Sequence, residues 1–482
     1  AQGALKQTID EHLARFDLME DAYLRERAND LRELGNRMLS HLEKRNRRRL
    51  HFPKDSILVG DDLSLSDLAS VPRDRLKGLV SGSGSVNSHL AILAEALGVP
   101  TVMGVKDLPM PLIDGGEIVV DGFQGVILTS PTPNQRRQYQ RRKEEEAALS
   151  RDLEQLAPGH CVTPDGHRTR LWVNTGLFSD VARSLDRGAE GVGLYRTEIH
   201  FMMNEAFPTE ESQRQIYRDH LQAFAPRAVT MRTLDIGGDK SLPYFPIQEE
   251  NPFLGWRGIR VSLDHPEIFI AQIRAMIRAS EGIDCYLRIM LPMVSSVTEI
   301  DMAKQLIDQC LQEVLEEGAD VKRPDIGVMI EVPAAVFQAE EILQRVDFLS
   351  VGSNDLVQYM LAVDRNNAQV ASLYQEYHPA VLKALSQVAA AAKLAGKGSG
   401  ICGEMAGNPG AALLLMAMGY QVLSMNSPNL LVVKKVLTSI SMKAAKKVLK
   451  QALALESAQE VKALVDQTLT DAGLEQLIRN RA

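Results

Sequence analysis

Residues 1 to about 46 carry apolar side chains at helical spacing. These side chains recur every three or four positions from Leu5 to Phe16 and again, after a break near residues 17–21, from Leu24 to Leu42. This period predicts two helices that fold back on each other as a hairpin. A hairpin of this length is too small to bury a core alone, so we expect it to pack against another part of the chain.

Residues 54–130 follow a different pattern, in which short apolar runs alternate with helical stretches. Gly115-Gly116 and Asp121-Gly122 supply turn signals between the runs. The runs that we predict as strands are Ser56–Gly60, Gly78–Ser81, Pro100–Met103, Glu117–Asp121 and Gly125–Leu128. Short strands of this kind, with helices between them, predict a small α/β domain.

A strongly polar segment separates this region from the rest of the chain. Thr132, Pro133 and Gln135 combine a capping residue, a proline in the first turn and a glutamine three positions after the cap. The charged run that follows reaches about Leu156 and predicts one exposed helix, roughly 35 Å long at ~1.5 Å per residue. Because Pro158-Gly159 ends it and apolar regions lie on both sides, we interpret this helix as a linker at a domain boundary.

From Asp165 onward, apolar runs alternate with amphipathic helices such as Glu299–Glu317 and Ala380–Ala395. The strand-like runs are Arg170–Asn174, Gly191–Tyr195, Ala228–Asp235, Cys285–Leu291, Ile326–Glu331, Phe348–Gly352, Gly398–Cys402 and Val422–Met425. Eight parallel strands joined by crossover helices predict a (β/α)₈ (TIM) barrel, an α/β fold. An open doubly wound sheet is the alternative, and Gly255–Leu263 could form an additional strand.

Composition then limits the classes of function. The chain has 482 residues, of which 45% are hydrophobic and 24% charged, and its formal net charge is −8. This length predicts two or three domains, and the acidic balance gives no general reason to expect nucleic-acid binding. We find no apolar run near the ~18 residues of a membrane span and no signal-peptide pattern. Because the first residue is alanine rather than methionine, we expect this chain to be a piece of a longer protein.

The cysteines point to a cytoplasmic chain. They are scattered along the sequence without metal-ligand spacing, at Cys161, Cys285, Cys310 and Cys402. This usage favours reduced thiols over a disulfide framework or a zinc site.

The stretch Ser81–Gly104 places a histidine at the start of a predicted helix. Small residues from Ser81 to Ser85 lead to Ser88-His89, and an apolar helical run follows at once. Backbone N–H groups at such a junction suit a bound anion. From this stretch alone His89 either caps the helix or carries chemistry, and both interpretations stay open.

Charged and polar side chains gather where the predicted barrel strands end, which is where active sites of this fold lie. They are Arg196, Arg232, Lys240, Glu331, Asn354, Asp355, Arg365 and Cys402. Taken singly, Arg196 or Arg232 could form a structural ion pair with Glu198 or Asp235. Residues needed only for stability would be spread over both barrel ends, so their common placement favours a functional site.

The residue types indicate a small, highly anionic ligand. Arginine binds phosphate or carboxylate through two parallel hydrogen bonds, and Lys240 adds a point charge. Glu331 and Asp355 are hard oxygen ligands at adjacent strand ends, and a pair of protein carboxylates completed by ligand phosphate and water is typical of Mg²⁺. Cys402 is either a buried structural cysteine or a proton donor, since a thiol is protonated at neutral pH.

A metal-assisted anion site and a histidine on a separate domain together suggest phosphoryl relay. At this point long motifs resemble one family: GSGSVNSHLAILAEALGVPTVMG around His89, GVGLYRTEIHFM, MRTLDIGGDK, NPFLGWRGIR, VMIEVPAA, SVGSNDLVQYMLAVDRNN and GICGEMAGNP. Over nearly its whole length the chain resembles enzyme I of the bacterial phosphotransferase system, the phosphoenolpyruvate–protein phosphotransferase. The runs VMGVKDLP and SGSGS are more similar to the nitrogen-related branch than to the sugar-transport branch.

This resemblance implies roles for the residues above. His89 would accept the phosphoryl group of phosphoenolpyruvate. The others would hold the substrate phosphate and carboxylate (Arg196, Arg232, Lys240, Asn354 and Arg365), ligate Mg²⁺ (Glu331 and Asp355) and protonate the enolate to pyruvate (Cys402). The phosphoryl group would pass on to the histidine of a small phosphocarrier protein, and the protein would form a homodimer through its barrel.

The resemblance also implies a division of the chain. Residues 1–50 would be a remnant of the helical carrier-binding region, 51–130 a swivelling phosphohistidine domain, 131–158 the linker helix, and 159–482 the phosphoenolpyruvate-binding and dimerisation barrel. The sensory domain of the nitrogen-related branch and part of the helical insertion would be missing. We therefore expect carrier docking to be incomplete.

One departure from the family concerns charge. The family has Ala-Arg along the active helix, whereas Ala94-Glu95 stands here. A carboxylate one to two turns beyond His89 would repel the phosphoryl group. Two alternatives remain: a dikinase or synthase of pyruvate and phosphoenolpyruvate, which would need a nucleotide-binding domain not evident here, and a degenerate relative that senses phosphoenolpyruvate or scaffolds a partner.

Overall fold

The structure is a computed structural model that describes residues 52–479, except positions 64, 84–89, 91–93, 95–97, 106–112, 123, 177, 205, 239, 241, 243 and 368. The chain divides into two compact units, Ala1–Tyr139 and Gln140–Ala482. The predicted helical hairpin, His89 and Glu95 lie outside the described residues. Among the described residues, no helix is both long and apolar enough to span a bilayer.

The described part of the first unit contains a small sheet. Strands β1 (Ser56–Gly60), β2 (Leu76–Ser81) and β3 (Thr101–Val102) are parallel, with helix α1 (Leu65–Ser70) between β1 and β2. Strands β4 (Ile118–Asp121) and β5 (Val126–Thr129) form an antiparallel pair. All five strands lie within two residues of their predicted bounds.

Helix α2 (Pro133–Glu154) begins at the predicted capping residues. The Thr132 backbone N–H donates to Gln135 Oε1 at 2.9 Å, and the Gln135 N–H donates back to Thr132 Oγ1 at 3.4 Å. This reciprocal pair satisfies N–H groups that have no partner within the helix. The helix is largely exposed and ends two residues before the predicted position, while its role as a linker stays a prediction.

The second unit contains a closed barrel. A short strand β6 (Cys161–Val162) pairs antiparallel with the first barrel strand. The barrel strands are β7 (Arg168–Thr175), β8 (Gly191–Arg196), β9 (Ala228–Arg232), β10 (Tyr286–Leu291), β11 (Asp325–Ile330), β12 (Phe348–Val351), β13 (Gly398–Ile401) and β14 (Val422–Met425). Each is parallel to the next, and β14 pairs with β7 through Val422 opposite Arg170 and Met425 opposite Val173. This closure confirms the (β/α)₈ prediction and rules out the open sheet.

Helices follow the strands around the barrel. In the described part of this unit they are α3 (Val181–Asp186), α4 (Glu198–Met202), α5 (Glu210–Phe224), α6 (Ile259–Asp264), α7 (Pro266–Ala279), α8 (Val297–Glu316), α9 (Pro333–Phe337), α10 (Ala339–Leu343), α11 (Ser353–Leu361), α12 (Pro379–Leu394), α13 (Pro409–Met418), α14 (Ser427–Ser439), α15 (Met442–Ala452), α16 (Ala458–Asp471) and α17 (Gln476–Arg479). Single 3₁₀ turns occur at Phe178–Asp180, Pro252–Leu254, Ala371–Leu373 and Glu404–Gly407.

The additional strand considered at Gly255–Leu263 does not form. The 3₁₀ turn Pro252–Leu254 precedes this stretch, and α6 occupies most of it. Gly258 has a φ of 58°, and a Cβ there would lie 2.9 Å from Met293 Cβ. Such a left-handed residue in close contact with a neighbouring loop is incompatible with an extended strand.

Side chains of the barrel strands alternate between the barrel interior and the helical layer. One apolar cluster joins Leu194, Met290, Met329, Phe348 and Cys402 from five different strands or strand ends. Their sequence neighbours Leu291, Ile330 and Leu349 belong instead to the large core that includes the surrounding helices. This period of two therefore places Cys402 inside the barrel.

A carboxylate ties the loop before β7 to the start of α15. Asp165 Oδ1 accepts from the Met442 N–H at 2.8 Å and from Thr163 Oγ1 at 2.6 Å, and Oδ2 accepts from the Lys443 N–H at 3.0 Å. The hydrogen bond from Thr163 and those from the two backbone N–H groups lower the pKa of Asp165 to about 2. These bonds therefore stabilise the ionised carboxylate in the folded protein.

We expect Asp165→Ala to lower the melting temperature at neutral pH, and we expect this decrease to be smaller in acid. Since the unfolded-state pKa of aspartate is about 3.9, the stabilisation is complete above that value and is lost as pH falls toward about 2. Thermal unfolding between about pH 6 and pH 2 measures the difference from the unsubstituted protein. Asp308→Ala, at an exposed position of α8, is the control; a difference independent of pH would contradict the assignment.

Candidate functional site

The predicted site residues of the barrel occupy one end of it. Arg196 and Arg232 are the last residues of β8 and β9, and Glu331 follows β11 directly. Asp355 lies in the first turn of α11, and Cys402 follows β13. Because parallel strands of a closed barrel end on the same face, the fold brings these side chains together.

Arg232 is buried in a network of carboxylates. Its guanidinium donates to Glu198 Oε1 and pairs with Asp235 Oδ2 at 2.9 Å. Arg196, which is half-buried, has no hydrogen-bond or ion-pair partner among the described residues. The structural ion pairing considered from the sequence thus holds for Arg232. In the described part of the chain Arg196 forms no ion pair with either carboxylate, although its charge acts on nearby Glu198.

Asp235 lies between three cations. Lys240 Nζ contacts Asp235 Oδ2, and Arg257 Nε lies 3.2 Å from Asp235 Oδ1. Burial alone would raise the pKa of this carboxyl, but Arg232, Arg257 and Lys240 hold it well below its ordinary value. Lys240 also lies 3.4 Å from Glu198 Oε1, so the two carboxylates share their cations.

Arg257 is a site residue that sequence reasoning did not single out. Its side chain is 0% exposed. It pairs with Asp235 and, through Nη2, with Asp355 Oδ2 at 3.0 Å, and its Nη1 donates to the Tyr359 hydroxyl at 3.1 Å. The only available signal was its position inside the motif NPFLGWRGIR, in a stretch that the apolar pattern presented as a possible strand.

Asp355 connects the sixth strand end to a further arginine. Arg365 Nη1 lies 3.2 Å from Asp355 Oδ1, so this carboxylate contacts two guanidinium groups. Burial would raise its pKa, but Arg257, Arg365 and Lys240 keep the pKa of Asp355 below the ordinary value. The neighbouring Asn354 accepts through Oδ1 from the Glu404 N–H at 2.8 Å, which joins α11 to the loop after β13.

Glu331 differs from the other carboxyl groups. Burial, together with the charges of Asp355 and Asp235, raises its pKa to about 8, although Arg232 and Arg257 oppose the rise. Its Oε1 accepts from the Met293 N–H at 2.6 Å. A Cβ at Gly352 would lie only 2.6 Å from Glu331 Oε2, so a side chain at position 352 would collide with this carboxyl group.

Cys402 combines the two interpretations drawn from the sequence. It is 3% exposed and packs in the apolar cluster of the barrel interior, as a structural cysteine would. Its Sγ donates to the Val351 carbonyl at 3.5 Å. Burial raises its pKa to about 11, with Glu331 adding to the rise and Ser350 opposing it, so the group is a thiol at neutral pH, as a proton donor must be.

Cations outnumber carboxyl groups among the site side chains described above. The cations are Arg196, Arg232, Lys240, Arg257 and Arg365, and the carboxyl groups are Glu198, Asp235, Glu331 and Asp355. The five cations outnumber the four carboxyl groups, and the raised pKa of Glu331 favours its neutral form. Cations that carboxylates already hold in fixed positions suit a small ligand with several negative charges.

Two comparisons identify related proteins. The domain described as "PEP-utilising enzyme, PEP-binding domain" matches residues 150–442, and "PEP-utilising enzyme, mobile domain" matches residues 52–125. The chain is 44% identical over 480 residues to a protein of Escherichia coli K12 named "Phosphoenolpyruvate-dependent phosphotransferase system", which aligns over 99% of this chain and 64% of that one.

A further relative matches over more of its own length. The "Phosphoenolpyruvate-protein phosphotransferase" of Staphylococcus carnosus is 37% identical over 480 residues, which cover 98% of this chain and 82% of that one. A Salmonella typhimurium protein, 45% identical, is again covered over 64% of its length, so the chain spans less than two thirds of the enteric relatives. With both domains matched and this identity over most of the Staphylococcus protein, the chain belongs to the PEP-utilising enzymes, among the phosphoenolpyruvate–protein phosphotransferases known as enzyme I.

Proposed function

We propose that this protein transfers the phosphoryl group of phosphoenolpyruvate to His89, releases pyruvate, and passes the group to the histidine of a small phosphocarrier protein. The observation that carries the proposal is the cluster of arginine and lysine side chains at one end of the barrel, most of which are held in place by carboxylates. Phosphoryl transfer depends mainly on positioning and on charge stabilisation, which such groups provide.

Arg196 is the proposed first contact of the substrate. Its guanidinium forms no ion pair among the described residues, and Arg196 ends β8 opposite Arg232, which ends β9. Arg232, Lys240 and Arg365 would add contacts to the phosphate and carboxylate of phosphoenolpyruvate, and Asn354 would donate through its amide. Their partners Glu198, Asp235 and Asp355 would hold these cations in position before the substrate arrives.

Glu331 and Asp355 are the proposed ligands of Mg²⁺. The donors fit this ion because both are buried carboxyl groups at adjacent strand ends. The high pKa of Glu331 arises partly from the charge of Asp355, and a cation between two carboxyl groups would relieve that repulsion. When bound there, Mg²⁺ would neutralise charge on the substrate phosphate.

The chemistry would proceed by a displacement at phosphorus. The bond between phosphorus and the enol oxygen breaks, a bond to the His89 imidazole forms, and the enolate of pyruvate is left. The Cys402 thiol then gives its proton to the methylene carbon, which becomes the methyl group of pyruvate, and the electron pair stays on sulfur. A pKa of about 11 makes Cys402 a weak acid but keeps it protonated until the enolate forms.

We infer a nitrogen-type regulatory relay in the cytoplasm, with a homodimer formed through the barrel. The relay is supported by the VMGVKDLP and SGSGS motifs, and the dimer by family resemblance. The cytoplasmic location rests on the unpaired cysteines, and all four are free thiols in the structure.

The experiment that tests the proposed function uses phosphoenolpyruvate labelled in its phosphate. With Mg²⁺ present, the protein should acquire acid-labile, base-stable label, as expected of a phosphohistidine, and should release one pyruvate for each group transferred. Chelation of the metal should prevent both. Pyruvate release without protein-bound label, or an unlabelled protein at saturating phosphoenolpyruvate, would contradict the proposal.

Glu95→Arg is expected to raise the fraction of protein phosphorylated at a fixed ratio of phosphoenolpyruvate to pyruvate. A carboxylate ~6–8 Å from the phosphohistidine costs roughly 2–3 kcal/mol per charge at an effective dielectric constant of ~20, before salt screening. Even about 0.5 kcal/mol per charge shifts the equilibrium measurably. The gain should shrink as ionic strength rises; an unchanged fraction at low salt would show that Glu95 has no influence on the phosphohistidine.

A further inference from the structure

Asn174, on β7, forms hydrogen bonds to Cys402, which follows β13, and to Ser424, on β14. It is the residue before last of β7, where the pairing register with β8 shifts between Val173 and Asn174. Irregularities of this kind change the direction of a side chain and are frequent beside active sites. Asn174 ends the first predicted barrel strand, but it is not among the site residues selected from the sequence.

Both ends of the Asn174 amide are engaged. Its Nδ2 donates to the Cys402 carbonyl oxygen at 2.8 Å. Its Oδ1 accepts from Ser424 Oγ, on β14, at 2.7 Å. Since the two bonds use opposite ends of the same planar group, Ser424 fixes the amide in the orientation that donates to Cys402.

The bond from Asn174 completes the anchoring of Cys402. The sheet pairing of β13 with its neighbours ends at Ile401, so Cys402 lies one residue beyond the regular ladder. On one side, its N–H donates to the Val351 carbonyl at 2.9 Å, and its thiol contacts the same oxygen. On the other side, the contact that holds its carbonyl is the one from Asn174.

We propose that Asn174, oriented by Ser424, is a positioning residue for proton transfer from the Cys402 thiol to the enolate carbon. This inference rests on the function proposed above, in which the S–H bond of Cys402 breaks as a C–H bond forms on the enolate. A general acid must lie within hydrogen-bond reach of its target, and a displacement of ~1 Å can cost ~10²-fold in rate. Loss of the Asn174 anchor would let the Cys402 main chain move and take the thiol out of reach.

The role predicts a specific kinetic defect. If the thiol is displaced, phosphoryl transfer to the protein continues, but the enolate leaves before its methylene carbon is protonated. It then converts to pyruvate slowly in solution. Lactate dehydrogenase reduces only the keto form, so pyruvate should appear after a lag relative to protein-bound phosphate. A general loss of stability would slow both signals equally and produce no lag.

The experiment compares Asn174→Ala, Asn174→Asp and Ser424→Ala with the unsubstituted protein. Asn174→Asp keeps the size of the side chain and the acceptor for Ser424 but removes the donor to Cys402, so it tests the role even if Asn174→Ala does not fold. Asn204→Ala is the matched control, because Asn204 Nδ2 also donates to a backbone carbonyl, at 2.7 Å, but that carbonyl belongs to His200 and not to Cys402. Thermal unfolding is measured for every variant.

In a single turnover of the unphosphorylated protein, both Asn174 variants should slow pyruvate formation about tenfold or more, with the lag described. The phosphoenolpyruvate concentration that gives the half-maximal rate should change less than about threefold. Ser424→Ala should show a smaller defect of the same kind, and Asn204→Ala should match the unsubstituted protein. If that protein forms neither label nor pyruvate, the proposed function fails and this inference with it. If it forms both while Asn174→Asp behaves like Asn204→Ala, only the positioning role is overturned.

Discussion

His89→Ala is expected to abolish phosphorylation of the protein by phosphoenolpyruvate while leaving phosphoenolpyruvate binding intact. The loss should be complete because the imidazole itself forms the bond to phosphorus in the proposed relay. Binding should survive because the proposed substrate ligands all belong to the unit Gln140–Ala482, whereas His89 belongs to Ala1–Tyr139. Incorporation of labelled phosphate and isothermal titration calorimetry with phosphoenolpyruvate measure the two properties separately.

The matched control for this substitution is His160→Ala. His160 is an exposed histidine that pairs with Glu190 at 2.9 Å, outside the proposed site. This variant should be labelled like the unsubstituted protein. Label retained by His89→Ala would show that another residue accepts the phosphoryl group, and loss of binding in that variant would show that His89 serves the substrate site itself.

Cys402→Ala is expected to slow pyruvate formation by ~10²-fold or more, the usual contribution of a positioned general acid. Protein-bound phosphate should still form, because the cations that hold the phosphate are unchanged. The substitution removes one buried sulfur atom, so the free energy of unfolding should fall by only about 1 kcal/mol. Coupled lactate dehydrogenase assays and denaturant unfolding measure the two effects.

Cys310→Ala is the control that distinguishes loss of a catalytic thiol from loss of a buried side chain. Cys310 is also buried, at 1% exposure, but it packs on α8 in the outer core rather than inside the barrel. Its replacement should change stability by a comparable amount and leave turnover unchanged. Normal turnover of a folded Cys402→Ala protein would contradict the role of the thiol.

The pH dependence of the reaction gives a further check on Cys402. Because burial raises its pKa to about 11, the thiol keeps its proton throughout the neutral range and releases it only in strong base. A fall in rate between about pH 7 and pH 9 therefore cannot arise from ionisation of this thiol. In that range Glu331, whose pKa is raised to about 8, is the described site residue that changes charge when no cation is bound.

Much of the fold followed from local patterns. The barrel strands were predictable because each is a short apolar run bounded by turn residues, and each buries its side chains on both faces. The strand-end residues were predictable for the same reason, since parallel strands deliver their last residues to one face. Arg196, Arg232, Glu331 and Cys402 accordingly lie where the sequence indicated.

The pairing of those side chains could not be read from the sequence. Arg196 and Arg232 end neighbouring strands, yet of these two arginines only Arg232 forms ion pairs with Glu198 and Asp235 in the described part of the chain. Arg257 meets a carboxylate 22 residues before it and another 98 residues after it. Its backbone turns at Gly258, where the apolar pattern allowed a strand.

Long-range contacts also decided what surrounds the thiol. Cys402 and Ser424 reach Asn174 across 228 and 250 residues of sequence, and closure of β14 on β7 is what brings them together. The period of hydrophobic residues in the sequence indicates which face of an element is buried, and motifs indicate which residue types are present. The strength of a buried ion pair or hydrogen bond depends instead on distance and desolvation between groups remote in sequence, and only the tertiary structure sets these.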